Sequence, residues 1–363
     1  MSLKPKNSDT IQNQRFYIQL AFSFLCIWIG IEFYFFLEAL QTPAVLGEIY
    51  RPPGVEGFLP ISSLMNLMYW IYSGTIHSYH PAGLFILIAI ILMSFFVGKS
   101  FCSWFCPVGF LSELIGDFGD RISLKIFKTR VKLPKFIDFP LRSVKYLLLL
   151  FFVNVIFFSM NEMALKIFLD GDYNLMSDIK MYYFFANISP FAITVISILF
   201  FLSIVFRNFW CRYLCPYGAL LGIFGLLSPT KIKRNESSCI DCTKCAKICP
   251  SFIKVDKVKT VISDECVSCF QCVDACPVND TLKISTPLSE NQVIKKMVPL
   301  FLIVLFLLVT GIGMLTDNWH NKVKTDRYRE LIKNVESLGH PTSSEDVKNL
   351  QKRTNTNFSP INK

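Results

Sequence analysis

Between residues 239 and 276 the chain places eight of its thirteen cysteines in two copies of one pattern. Cys239, Cys242, Cys245 and Cys249 are followed by Pro250, and Cys266, Cys269, Cys272 and Cys276 by Pro277. Each copy reads C-x2-C-x2-C-x3-C-P, the spacing that holds a [4Fe–4S] cubane. Three close cysteines wrap one cubane from a tight loop, and the proline-stopped turn carries the fourth to the other copy. One cluster is therefore expected on Cys239, Cys242, Cys245 and Cys276, and a second on Cys266, Cys269, Cys272 and Cys249. A zinc site or a disulfide framework is the bland alternative, but zinc sites seldom use three cysteines at successive x2 spacing. Residues 252–255, 261–262 and 282–284 alternate like short strands, each packing on a helix that follows a cysteine run.

The rest of the chain is apolar. Hydrophobic residues make up 52% of it, mean hydropathy is +0.42, and Phe occurs 35 times. Runs at about 17–39, 81–97, 143–160, 188–206 and 297–315 match a hydrocarbon layer of roughly 30 Å, the second being the shortest. Leu59 to Tyr72 is too short to cross and reads as re-entrant or interfacial. Lys4, Lys6 and Arg15 precede the first run and no A-x-A site follows, which reads as a retained anchor. The expected fold is an α-helical integral membrane protein of about five transmembrane helices, with an inserted α+β two-[4Fe–4S] module. Residues 1–229 form the membrane domain, 230–290 the module, 297–315 the last span and 316–363 a short amphipathic tail. Tyr328, Leu331, Ile332, Val335 and Leu338 give the tail one helical stripe. A second tail helix is expected from Ser343–Ser344, and disorder over the last ten residues.

The net charge is +10, and its distribution says more than its sum. With the N-terminus inside, segments 1–16, 98–142 and 207–296 hold 24 Lys and Arg, whereas loops 40–80 and 161–187 hold only Arg51, Lys166 and Lys180. This is a positive-inside bias. It places the cysteine module on the cytoplasmic side of a bacterial cytoplasmic membrane, where thiols stay reduced. The basic residues then serve topology and contact with anionic lipid, not nucleic acid. The tail is an anomaly, since five spans put its nine Lys and Arg outside.

The chain also repeats itself at an offset of 109 residues. Pro81 lies over Pro190, and an apolar run follows each. Phe101-Cys102-Ser-Trp-Phe-Cys106-Pro107-Val-Gly109 lies over Trp210-Cys211-Arg-Tyr-Leu-Cys215-Pro216-Tyr-Gly218. A unit of span plus C-x3-C-P-x-G thus occurs at 81–116 and 190–225, both entering from one side. Such repeats build sites between them. On a helix, residues i and i+4 share a face, so each cysteine pair is expected to project together. Proline suits the first turn of a new helix, and a thiolate at that N-terminus has a lowered pKa; Lys99, Arg207 and Arg212 push the same way. Four thiols would suit a third cluster or a metal ion. Packing cysteines and a dithiol relay are the alternatives.

Paired C-x3-C-P motifs after membrane spans, followed by a two-cluster module, resemble the NapH/NosR/CcoG-type membrane polyferredoxins over about residues 17–315. The resemblance implies electron transfer at the bacterial membrane, with a quinol-linked supply to a reductase or metal reduction for cofactor assembly. No flavin domain of the NosR type precedes the first span, and the tail of 48 residues is shorter than the exported domain of the copper-reducing branch.

The four histidines, His77, His80, His320 and His340, lie outside every expected span, and no C-x-x-C-H occurs, which excludes the usual haem ligation. His77 and His80 read as solvated loop residues, or as ligands for copper or a quinone head group. Glu32 lies within the first span, where a carboxylate suggests function; a proton or quinone role is expected. Cys26 reads as packing. The loop Arg51–Pro60 reads as a rigid turn, and 111–136 as an amphipathic helix on anionic lipid.

The leading function is iron–sulfur electron transfer between the membrane, with its quinone pool, and cytoplasmic clusters or a redox partner. A copper or metal reductase or assembly factor and a redox-sensing regulatory subunit are the alternatives.

Overall fold

The computed structural model describes residues 11–42, 49–286 and 297–339. In chain order it contains α1 (Ile11–Gln41), a 3-10 turn (Pro53–Phe58), α2 (Pro60–Ser73), α3 (Pro81–Val97), α4 (Ser100–Trp104) and α5 (Pro107–Phe127). α6 (Lys135–Val153) runs on as a π turn to Ser159, and α7 (Glu162–Leu169), α8 (Asp172–Leu175), α9 (Ser177–Ala186) and α10 (Pro190–Val205) follow. After a π turn (Trp210–Leu214) come α11 (Pro216–Leu227), β1 (Lys231–Arg234), α12 (Lys244–Ile248), α13 (Gln271–Ala275), β2 (Leu282–Ser285), α14 (Met297–Leu315) and α15 (Thr325–Ile332).

Among the described residues three helices are long and apolar enough to cross a membrane: α1, α6 with its π turn, and α14. α3 has 17 residues and α10 has 16, short of the ~20 that a straight span needs. α10 follows α9 with a bend of 83°. Prolines 81 and 190 start α3 and α10 where a missing N–H costs nothing. The described chain divides into two compact units whose boundaries fall at 25/26, 88/89, 149/150, 193/194 and 307/308. The five apolar helices α1, α3, α6, α10 and α14 correspond roughly to the five expected spans.

The first unit holds both C-x3-C-P segments and the cysteine module, and is described below. The second holds the loops around 49–80 and 161–187 together with the tail. Its core is Phe33, Phe36, Leu37 and Leu40 of α1 packed with Val55, Leu175, Met176, Ile179, Tyr328, Leu331 and Val335. The tail's apolar stripe is therefore buried on the loops. Arg327 reaches Asp172 at 2.7 Å, and Lys180 Nζ donates to the carbonyls of Val335 and Leu338. Three of the tail's nine basic residues, Arg327, Arg329 and Lys322, are each paired with a carboxylate of this unit. The expected second tail helix and His340 lie outside the described residues.

The histidines correct the sequence reading. His77 and His80 are buried, at 7% and 1% exposure, and belong to a polar network. Arg51 binds Asp178 at 2.5 Å, Glu56 at 2.6 Å and His80 Nδ1 at 3.0 Å. His80 Nε2 lies 2.7 Å from the Asn174 carbonyl, which only accepts, so Nε2 carries the proton and Nδ1 accepts from Arg51. His77 Nε2 meets Asp170 at 3.0 Å. The loop thus turns inward because a buried guanidinium needs partners in a fixed fork. A short loop containing Pro and His carries no local signal for that. Glu56 and Asp178 are fully buried, so Arg51→Met leaves two buried carboxylates without their cation. The expected cost is about 3–5 kcal/mol, read as a lower thermal midpoint in detergent.

Candidate iron–sulfur site

The module opens with β1, which pairs antiparallel with β2 in the register Ile232↔Ile284. Sequence patterning located β2 and missed β1. Residues 252–255 are not a strand: Phe252 adopts φ 58° and a 3-10 turn follows at Val255–Lys257. Val261 contributes one bond to the Ile232 carbonyl, and Thr260 a single bridge to Lys233. The two cysteine runs bend alike. Asp241 and Thr243 in the first, and Ser268 and Phe270 in the second, all have φ between 48° and 59°. Left-handed backbone is costly for such residues. Here it turns successive cysteines to one side.

The structure gathers the eight cysteines around two cavities. Cys249, Cys266, Cys269 and Cys272 line one, and Cys239, Cys242, Cys245 and Cys276 line the other. These are the two sets expected from spacing. Burial pushes the Cys266 thiol up to about 11 and Cys269 to about 12, so thiolates here need cations beside them, which the iron of a bound cluster would supply. The cavities differ in charge. The first is lined by Ile232, Val255, Val261 and Phe270 besides its cysteines. The second contains Arg234 and Asp256, and Asp256 Oδ1 is buried without a hydrogen-bond partner.

The C-x3-C-P segments also converge. Cys102, Cys106, Cys211 and Cys215 are mutual electrostatic neighbours, so both repeats contribute to one locality. They do not project from one helical face as expected. α4 ends at Trp104, and Cys106 is extended, at φ −65° and ψ 118°, capping α5. Cys215 caps α11 in the same way. Each capping sulfur accepts one N–H at 3.3 Å, from Gly109 or Gly218. At the α5 end the lowered thiol pKa expected for Cys106 is overridden by burial, which holds it well above its usual range. Burial likewise raises Cys102 to about 11 and Cys211 to about 12. Burial works against the Lys99 ammonium, yet Cys102, Glu265, Cys215 and Cys211 hold its pKa up. Among the described residues no three His, Cys, Asp or Glu side chains gather tightly enough for one metal ion.

The repeats interlock reciprocally. A Cβ on Gly116 would lie 2.8 Å from Arg207 Cγ, and one on Gly225 would lie 3.1 Å from Lys99 N and 3.5 Å from Gly98. At the offset of 109, Gly116 matches Gly225 and Gly98 matches Arg207, so each glycine meets the corresponding point of the other repeat. A Cβ on Gly109 would sit 2.2 Å from the Cys102 carbonyl oxygen.

This locality is joined to the module. Between Cys102 and Cys106, Ser103 Oγ donates to the Val267 carbonyl at 2.5 Å and Trp104 Nε1 to the Ser268 carbonyl at 3.1 Å. Val267 and Ser268 lie between Cys266 and Cys269. Lys145 binds Glu265, Tyr146 donates to Asp264, and Gln12 Nε2 donates to the Cys269 carbonyl. Periodicity carries no trace of these contacts, which join residues far apart in the chain. Glu32 is not brought to this locality. It is exposed on α1 and accepts from Trp28 Nε1 at 2.7 Å. Cys26 is half-buried in α1.

Two cysteine-lined cavities on a membrane-helix scaffold define an iron–sulfur protein of the membrane ferredoxin type. Comparison with known proteins gives the same class: the chain belongs to the family of 4Fe–4S ferredoxin-type membrane proteins. A family model described as a 4Fe–4S dicluster domain matches residues 232–284, and one described as a 4Fe–4S binding domain matches 79–128 and again 188–235. The chain is 41% identical over 329 residues to YccM of Escherichia coli (strain K12), a protein named for electron transport, covering 89% of this chain and 90% of that one. It is 27% identical over 240 residues to the methylamine utilization ferredoxin-type protein MauN of Methylorubrum extorquens, covering 62% and 75% of the two chains. It is 33% identical over 86 residues to the ferredoxin-type protein NapH of Haemophilus influenzae, covering 21% and 30%. No solved structure matches the chain significantly.

Two outcomes are expected. Gly109→Ala overpacks the Cys102 carbonyl and lowers stability by about 1–3 kcal/mol, whereas Gly30→Ala, with open space around its Cβ, is neutral or stabilising; thermal unfolding in detergent compares them. Asp256→Asn replaces a buried carboxyl group with an amide and is expected to raise the reduction potential of a cluster held by Cys239, Cys242, Cys245 and Cys276, read by EPR-monitored redox titration.

Proposed function

We propose that this protein relays electrons between a lipid-soluble carrier of the quinone class and a redox partner, through three iron–sulfur sites in series. The observation that carries this reading is the bridge from Ser103 and Trp104 to Val267 and Ser268. It sets the loop between Cys102 and Cys106 against the loop between Cys266 and Cys269. The match of a 4Fe–4S binding-domain model to both C-x3-C-P repeats supports a third cluster on Cys102, Cys106, Cys211 and Cys215.

Cys266, Cys269, Cys272 and Cys249 then hold the middle cluster, and Cys239, Cys242, Cys245 and Cys276 the distal one. Bound [4Fe–4S] clusters supply one-electron redox chemistry. The protein sets their spacing and their electrostatics. Lys99 and Lys145 place buried cationic charge beside the first site. For the carrier, a groove of about 660 Å³ is lined by Gln12, Arg15, Gln19, Glu113, Phe16 and Phe110. Its amides and the Arg15–Glu113 pair suit a polar head, and its rings suit a ring system. A quinol oxidised there gives two electrons to the sites and two protons to water. The charge asymmetry supports a bacterial inner-membrane location with the module cytoplasmic.

Anaerobic purification followed by iron and sulfide analysis tests the reading. Three sites require about twelve iron per chain, falling to about eight in Cys102→Ala or Cys211→Ala. About eight in the parent leaves the C-x3-C-P cysteines as thiols, and under about four overturns the reading.

A further inference from the structure

Lys99 is only 4% exposed, and among the described residues no carboxylate lies within ion-pair range of it. The cations near it are already engaged: Lys145 binds Glu265, Arg207 binds Asp117 and Asp120, and Arg212 binds Asp138. Glu265 attracts Lys99 as well, but Lys145 holds it. A buried ammonium without a compensating charge is strongly unfavourable. The side chain has nonetheless been given a place. Its backbone N lies 3.1 Å from where a Gly225 Cβ would stand, and its Nζ 3.4 Å from where a Gly218 Cβ would stand. Both glycines belong to α11, so the lysine rests on bare points of that helix and ends beside Cys215, whose sulfur accepts the Gly218 N–H.

Cys102, Cys215 and Cys211 are the electrostatic neighbours of Lys99 there, Cys102 most strongly. Phe101 and Tyr217 pack ring against ring at 6.2 Å beside the same cysteines, so little polar matter screens the charge. The repeat does not call for this cation. At the offset of 109 residues Lys99 matches Asn208, a neutral amide that accepts from Ser112 at 3.2 Å. The cysteines and the glycines match between the repeats, and the lysine does not. What Lys99 lacks is an anion, and four thiolates around a cluster supply one. Among the described residues no three of these cysteines close on a single ion, and the same holds in the module, a spread that suits cages of several irons.

We propose that Lys99 is the built-in counter-cation of an anionic iron–sulfur cluster on Cys102, Cys106, Cys211 and Cys215, and that it raises the reduction potential of that cluster. The proposal rests on the relay described above and adds the residue that sets the potential of its first site. On reduction the cluster gains one electron from the carrier and no proton, so its negative charge grows by one unit. A fixed cation nearby stabilises the reduced state more than the oxidised one.

The test is an anaerobic, EPR-monitored redox titration of the full chain, loaded with iron in mild detergent, with iron counted in every sample. The signal that Cys102→Ala removes marks the first site. Lys99→Met keeps the reach of the side chain and removes its charge, whereas Lys99→Arg keeps the charge. In Lys99→Met the reduced-to-oxidised ratio of that signal at the parent's midpoint is expected to fall about tenfold, a downward shift of about 59 mV for one electron, and in Lys99→Arg to stay within about threefold of the parent. Lys166→Met, at an exposed position in the other unit, shifts nothing. Loss to about eight iron in Lys99→Met, with about twelve kept in Lys99→Arg, also supports the proposal, because charge then decides whether the cluster stays. An unmoved potential in Lys99→Met that holds about twelve iron overturns it. So does an equal shift, or equal iron loss, in Lys99→Arg, which makes the position one of shape and not of charge. A parent with about eight iron and no such signal removes the third site of the relay and the proposal with it; in a parent of about twelve, only the role of the lysine is at stake.

Discussion

Two membrane-helix repeats can bring four thiols together only if their backbones nearly touch, and the rest of the structure rests on that contact. Gly116 and Gly225 give each repeat one point of close approach to the other, and Gly109 lets the α5 entry turn fold back on the Cys102 carbonyl. Close approach through small residues is how helices associate where burial against lipid supplies no net drive. The packing also fixes the two loops that carry Cys102, Cys106, Cys211 and Cys215. Those loops in turn provide the footing for the module, through Ser103 and Trp104.

Charge follows the same plan. Around the footing, Arg15 is paired with Glu113 at 2.5 Å, Arg207 with Asp117 and Asp120, and Lys145 with Glu265. Breaking such a buried pair is costly, although making it gains little over apolar packing. Their value here is geometric, since a bidentate guanidinium admits few arrangements. The other unit uses the same device in Arg51, which ties together Glu56, Asp178 and His80.

The sequence made the repeated elements legible and the singular ones obscure. Both cysteine runs, the 109-residue repeat, five apolar helices and the tail's apolar stripe follow from periodicity or spacing, each a local rule applied many times. β1 was invisible because Lys231–Arg234 holds one apolar residue among three cations, and its partner lies some fifty residues away. The helical face expected for Cys102 and Cys106 failed because Pro107 starts a new helix and leaves Cys106 extended. The lowered thiol pKa expected at the α5 end gave way, for Cys106, to burial, which depends on what packs around the sulfur. His77 and His80 looked solvated because their partners Asp170, Asn174 and Arg51 come from separate loops. Glu32, which stood out as a carboxylate in an apolar run, lies on an exposed helix face and accepts a hydrogen bond from Trp28.

The anchoring of the module has a mechanical meaning. Clamps from Gln12, Ser103, Trp104, Lys145 and Tyr146 reach the same short stretch, 264–269. A domain held at that many points does not swing on a tether between a donor and an acceptor. It behaves as a fixed terminal: the distance from the C-x3-C-P loops to the cysteine runs is set once, at folding.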